Sequence, residues 1–279
     1  MGVPEELRRG RRIPLGDPIF HVDAFTERPF AGNPAAVCLL SSPREDAWRQ
    51  GIAAEMNLAE TAFLERAGSD WTLRWFTPTV EVDLCGHATL ASAHVLWEQG
   101  MAKPGTTIAF HTRSGLLSAA ARGGMIELDF PAEPATAGPA PAELLAALSV
   151  TEARSTGRNR LDYLIEVDNE ATVRSLVPDF RAIAAACGSG RGVIVTAKSA
   201  SPEHDFVSRY FAPAAGIDED PVTGSTHCCL GPFWGDKLGK TELSGFQASS
   251  RGGMVRVRLA GERVFLGGHA VTVARGELA

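Results

Sequence analysis

Two short stretches of this chain join titratable side chains to glycines at apparent helix starts: Cys85, Gly86 and His87, and then Asp220, Thr223, Gly224 and Ser225. Backbone N–H groups at a helix start lack partners within the helix, and with the positive end of the dipole they suit a carboxylate. The same donors stabilise negative charge on a carbon that is losing its proton, and glycine lets a ligand come close to the backbone. One such glycine by itself only shapes a turn, whereas a matched pair at two helix starts points to a site. Glu60, in MNLAETAFL, is a carboxylate at the entrance of a strand and so a candidate general base. A surface Glu at a strand end is an equal reading of it. His87 and Asp220 are candidate acid/base groups whose commoner fates are helix capping or a backbone partner. Cys85 is either a low-pKa thiol at a helix N-terminus or a packed and inert one.

An internal repeat relates the two stretches. Segment 74–85 (RWFTPTVEVDLC) aligns without gaps on segment 209–220 (RYFAPAAGIDED), an offset of 135 residues. Arg74, Trp75, Phe76 and Pro78 then match Arg209, Tyr210, Phe211 and Pro213, and Cys85 falls opposite Asp220. A weaker echo matches Arg113 and Gly115 to Arg251 and Gly253. Two echoes in the same order indicate duplication. Halves related by a pseudo-twofold would turn the helix starts at Gly86–His87 and Gly224–Ser225 into one cleft. The place of Glu60 in the second copy falls to Arg191 or Gly192, so the base is expected on one side only.

The surrounding elements repeat as well. Short strands at Val37–Leu40 and Tyr163–Val167 are each followed by a proline-started helix, about Pro43–Met56 and Pro178–Cys187. Further strands are expected at Thr61–Leu64 and Val193–Thr196, and at Thr72–Phe76 and Phe206–Phe211, each of the last two stopped by a proline. A small-residue helix runs from Gly86 to Trp97, and its counterpart starts near Thr223, where Pro232 should kink or shorten it. Alternating segments beyond these helices read as antiparallel strands. The expected fold class is α+β: two similar domains, each a mostly antiparallel sheet with a helix against it. Residues 13–131 form the first half and 142–279 the second. The proline- and alanine-rich stretch 132–141 is expected to be an irregular linker. The last strand, about 264–279, is left free to return to the first half.

Composition narrows the function. The 27 Lys and Arg against 33 Asp and Glu give a net charge of -6, which opposes attraction to nucleic acid or anionic membranes. A small molecule is the favoured partner. The basic cluster Arg8, Arg9, Arg11 and Arg12 reads as a mobile tail, with no apolar run behind it to make a signal peptide or a span. Five cysteines at irregular spacing fit neither a disulfide framework nor a metal signature, so a reducing, cytoplasmic setting is expected without a metal site. Gly188, Gly190 and Gly192 lie between a helix and a strand, the reverse of a dinucleotide loop. Gly235 is one residue too close to Gly239-Lys240-Thr241 for a phosphate loop.

Four motifs, VDAFTERPFAGNPAAVCLL, MNLAETAFL, LRWFTPTVEVDLCGHATLASAHVLW and RYFAPAAGIDEDPVTGSTHC, resemble the phenazine biosynthesis-like (PhzF-like) isomerase family. The resemblance implies the diaminopimelate epimerase-like fold, in which each of two domains wraps a mostly antiparallel sheet around a central helix. It also implies catalysis without cofactor on a small carboxylate between the domains, a homodimer, and Glu60 as the proton carrier. Gly86, His87, Asp220, Gly224 and Ser225 would line the pocket. Related amino-acid epimerases and racemases use one thiol from each half at the two helix starts, where this chain has Cys85 and Asp220. A racemase using that pair, and a noncatalytic metabolite-binding homologue, remain open.

Overall fold

The computed structural model describes residues 16–103, 105–188 and 191–279. The arginine cluster at 8–12, residues 13–15 and Gly190 lie outside the described residues. The first half contains strands β1 (Pro18–Ala24) and β2 (Asn33–Leu40), helix α1 (Asp46–Met56), and strands β3 (Glu60–Ala67), β4 (Asp70–Phe76) and β5 (Glu81–Val82). Helix α2 (Gly86–Glu98) and strands β6 (Ile108–Thr112), β7 (Gly115–Arg122) and β8 (Met125–Pro131) complete that stretch. There follow β9 (Thr136–Ala137), α3 (Ala142–Ala147), β10 (Ser155–Arg158), β11 (Asp162–Glu166), α4 (Glu170–Ser175) and α5 (Phe180–Cys187). The remainder is β12 (Gly192–Lys198), β13 (Phe206–Phe211), α6 (Gly224–Leu238), β14 (Glu242–Gln247), β15 (Gly253–Ala260), β16 (Arg263–Gly268) and β17 (Ala270–Glu277).

The pairing pattern repeats strand for strand. β2 and β3 run parallel, as do β11 and β12. β3 and β4 are antiparallel, as are β12 and β13. β4 is parallel to β6, as β13 is to β14, and antiparallel meanders β6–β7–β8 and β14–β15–β16 follow. The closing strands are exchanged. β9 follows the first half yet pairs with β10, and β17 follows the second yet pairs with β1. β8 and β16 pair directly, so the described strands make one continuous, mostly antiparallel sheet. The final segment holds two strands, of which β17 pairs with β1 while β16 closes the second meander.

Helix α2 is apolar almost all round, the pattern of a helix enclosed on every side. Its Ala88, Leu90, Ala91, Ala93, Val95 and Leu96 are fully buried, and it packs on β1, β2, β3, β7, β8 and β17. α6 packs on β14, β15 and β16, and the apolar core is continuous from one helix to the other. Outside the sheet, α1 covers Cys38, Phe63 and Phe76 of the first half with Trp48, Ile52 and Ala53. Leu144 of α3 and Ile183 of α5 cover Val195 and Phe211 of the second half.

Several boundaries differ from expectation for local reasons. α1 begins at Asp46 rather than Pro43, because the preceding segment stays extended while Arg44 reaches back to Asp17 at 2.6 Å. α5 begins at Phe180 because Asp179 caps it, its side chain accepting from the Ala182 N–H at 3.0 Å. α6 runs uninterrupted through Pro232. Proline removes the N–H that would bond the Cys228 carbonyl, but the Glu133 backbone N–H donates to that carbonyl instead at 3.0 Å. The same strap, with β9 beyond it, ties the supposed irregular linker to α6 and to β10, both in the second half.

Candidate active site

The two helix starts meet. A Cβ built on Gly86 would lie 3.4 Å from the Cα of Gly224, and one built on Gly224 would lie equally close to Gly86. A side chain on either residue would sit at van der Waals contact with the other and fill the space between the two helix starts. Cys85 and Thr223 are the N-cap residues, and neither side chain makes a capping hydrogen bond. All eight residues singled out by type and spacing, Glu60, Cys85, Gly86, His87, Asp220, Thr223, Gly224 and Ser225, line one cavity of about 200 Å³. Glu60 enters it as the first residue of β3, opposite Ala35 of β2.

Burial governs the protonation of this cluster. Desolvation, helped by the charge of Asp220, pushes Glu60 up to about 8 against an opposing hydrogen bond from Cys85. Its Oε2 lies 3.3 Å from His87 Nε2. Desolvation pushes His87 down to about 4, opposed by a hydrogen bond to the Pro34 carbonyl, so the imidazole is neutral at pH 7. Asp220 is raised by burial to about 6, while hydrogen bonds from Thr223 and Asn33 hold it lower than burial alone would. The Cys85 thiol is pushed well up by burial and by the neighbouring Glu60 charge. It is a packed thiol rather than a ready thiolate.

A carboxylate oxygen of Glu60, the sulfur of Cys85 and a nitrogen of His87 lie within 4.8 Å of one another, a set able to hold a divalent cation. All three are acid/base candidates expected at one cleft, and only their spacing, which is not a ligand spacing, keeps them from being read as a metal set. With the carboxyl and the thiol both held protonated at neutral pH, a cation would have to expel two protons to bind.

The repeat is asymmetric here, and one alignment changes. The ladders pair Thr61 with Phe76 and Val193 with Phe211, which sets Gly192 opposite Glu60. The helix starts, however, set Thr223 and not Asp220 opposite Cys85, because three extra residues precede α6. Asp220 instead lies behind Thr223 and accepts its hydroxyl proton. Gly192 has its own reason. A Cβ there would fall 2.4 Å from the Tyr210 hydroxyl oxygen, and that hydroxyl donates to the buried Asp162 at 2.9 Å. Tyr210 walls the cavity where a second base would otherwise enter. Gly192→Ala is expected to cost about 1–3 kcal/mol of stability by overpacking. Urea denaturation checks this, and an unchanged midpoint would contradict it.

Asn33 escaped the reading from sequence, since nothing in its spacing connects it to Asp220. Tyr210 left one signal, the hydroxyl it carries where its repeat partner is Trp75. Arg160, on the rim and paired with Glu133 at 2.8 Å, is the one cation among the described residues lining the cavity, and no spacing marked it.

The model of the family described as phenazine biosynthesis-like protein matches residues 22–276. An uncharacterized isomerase of Halalkalibacterium halodurans is 55% identical over 262 residues, spanning 94% of this chain and 98% of the relative. The crystal structure of a PhzF family protein from Enterococcus faecalis superposes with a TM-score of 0.90 at 43% identity, covering 95% of this chain and 100% of that one. A predicted epimerase of Pseudomonas aeruginosa, at 22% identity and a TM-score of 0.70 over 94% of this chain and 99% of its own, shares the fold. With the family model matched over nearly its whole length and a relative so similar from end to end, this chain belongs to the phenazine biosynthesis-like family of isomerases.

Proposed function

We propose that the protein moves a proton between positions of a small carboxylate substrate, without a cofactor, and that Glu60 is the general acid/base. One observation carries this reading. A buried carboxyl with its pKa pushed to about 8 shares a cavity with two converging helix starts, Gly86 and Gly224. In the proposed reaction the substrate carboxylate accepts from backbone N–H groups of the two first turns, with Ser225 beside it. Ionised Glu60 takes a proton from a neighbouring carbon, and the electron pair of that C–H bond spreads into the adjoining π system. The helix N-termini stabilise the resulting anion. Glu60, now protonated, delivers the proton to a different carbon, so the base is regenerated and atoms balance. His87 and Asp220 are assigned to orienting and stabilising the charged intermediate. Cys85 serves as a neutral neighbour of Glu60.

A racemase built on Cys85 needs a second acid/base on the opposite face of one carbon. Its structural counterpart is Thr223, whose hydroxyl has no acid/base capacity near neutral pH and is engaged by Asp220. This favours the one-base reading. Small carboxylates incubated with the protein in D₂O and analysed by mass spectrometry test it. At least one is expected to incorporate deuterium, to be converted into a positional isomer rather than into its own enantiomer, and to do so equally after exhaustive treatment with EDTA. Loss of exchange with EDTA, restored by a divalent cation, would overturn the cofactor-independent mechanism. Binding without exchange across the panel would make the protein a metabolite binder instead.

A further inference from the structure

Asn33 is fully buried at the start of β2, and its Nδ2 faces three groups. It donates to Asp220 Oδ1 at 2.8 Å and to the Val222 carbonyl at 2.9 Å, and it lies 3.2 Å from His87 Nδ1. A backbone carbonyl only accepts, so the orientation of this amide is fixed with its NH₂ toward all three. His87 Nδ1 therefore faces a donor. The Cys85 thiol, 3.5 Å away, is a second potential donor to the same nitrogen. A neutral imidazole carries one proton, and a proton on Nδ1 would be set against the Asn33 NH₂. Nε2 is left as its place; it makes no hydrogen bond of good geometry, and Glu60 Oε2 lies 3.3 Å from it.

We infer that Asn33 is a positioning residue that fixes the tautomer of His87, so that the imidazole presents Nε2–H to Glu60 while the same amide ties Asp220 of the other half into the site. The arrangement decides which group is the base. An imidazole that shows its N–H to Glu60 can donate to the ionised carboxylate, but it cannot compete with it for the substrate proton. The amide also fixes where Asp220 sits. Because β2 belongs to the first half and Asp220 precedes α6 of the second, one side chain sets both in register. The two hydrogens of the NH₂ serve three acceptors, so one is shared.

The catalytic meaning of this inference rests on the proposed role of Glu60, but its test does not. Protein labelled with ¹⁵N-histidine, studied by long-range ¹H–¹⁵N correlation at pH 7, reports the protonation of each ring nitrogen. His87→Gln assigns the signals by their loss. The native protein is expected to show Nδ1 as an unprotonated acceptor and Nε2 as protonated. Asn33→Leu keeps the volume but removes the donor, and should shift the tautomer ratio about tenfold toward Nδ1–H, the scale of one lost hydrogen bond. Asn33→Asp, which sets an acceptor against Nδ1, should invert the pattern, while Cys85→Ser should leave it unchanged. A native spectrum with the proton on Nδ1 overturns the inference even if no Asn33 variant folds. An unchanged spectrum in folded Asn33→Leu and Asn33→Asp overturns it as well. A change of tautomer in Asn33→Leu combined with full deuterium exchange by Glu60→Gln would retain the positioning role and discard Glu60 as the base.

Discussion

Glu60→Gln should lower turnover by about a hundredfold or more while leaving ligand affinity nearly intact, the usual scale for removing a general acid/base. Gln preserves the volume at the start of β3 and still accepts from a neighbour, so the change isolates proton transfer from packing. Deuterium incorporation from solvent should fall in parallel with turnover, because both pass through the same removal of a proton from carbon. Cys85→Ser is the comparison. In the one-base reading it is the milder variant, since the thiol is already held protonated by burial and by the Glu60 charge. In a thiol-based racemase the order reverses. Full turnover in Glu60→Gln on a ligand that the native protein deuterates would transfer the role of base to Asp220 or Cys85.

Stability should respond to pH through the same residue. The folded-state pKa of Glu60 is raised from 4.5 to about 8, and that of Asp220 from 3.8 to about 6. A carboxyl raised in this way holds its proton in the folded protein at pH values where the unfolded chain has already released it. Folding is therefore least opposed below the unfolded values, and stability is lost as pH rises, for Asp220 between about 4 and 6 and for Glu60 between about 4.5 and 8. Above pH 8 the cost is constant. Glu60→Gln removes the larger part. Its stability relative to the native protein should grow from pH 5 to pH 8 by on the order of a few kcal/mol. Urea titrations at a series of pH values measure the difference, in which the other titrating groups cancel. A difference independent of pH would mean that Glu60 is not held protonated in the folded protein.

Much of the framework was legible because it rests on local signals. Proline and glycine punctuation, the small-residue run after Gly86 and the matched RWF and RYF strands are properties of contiguous sequence, and they brought the eight candidate residues into one cavity. Partners remote in sequence were hidden. The Asn33 amide meets Asp220 only because β2 and α6 begin at the same point, and the Tyr210 hydroxyl meets Asp162 only through the pairing of β11, β12 and β13. The pairing of Cys85 with Asp220 failed because a gapless alignment has no means of seeing three inserted residues that change no periodicity. The helix near Thr223 was expected, but its unshortened run past Pro232 was not, for a related reason: the carbonyl that proline deprives is satisfied by Glu133, from another segment altogether.

The exchange of closing strands has a consequence for the order in which the chain is made. β1 is among the first strands to leave the ribosome, but one of its two partners, β17, is among the last. Until residues 270–277 are synthesised, the first half holds its helix and meander with one edge of β1 unpaired, the kind of edge that invites pairing with another chain. The second half has no such wait, since β9 is translated before the strand it joins. The half synthesised first is thus the last to be completed. Its completion depends on a contact that spans nearly the entire chain, which is the class of contact that slows folding most.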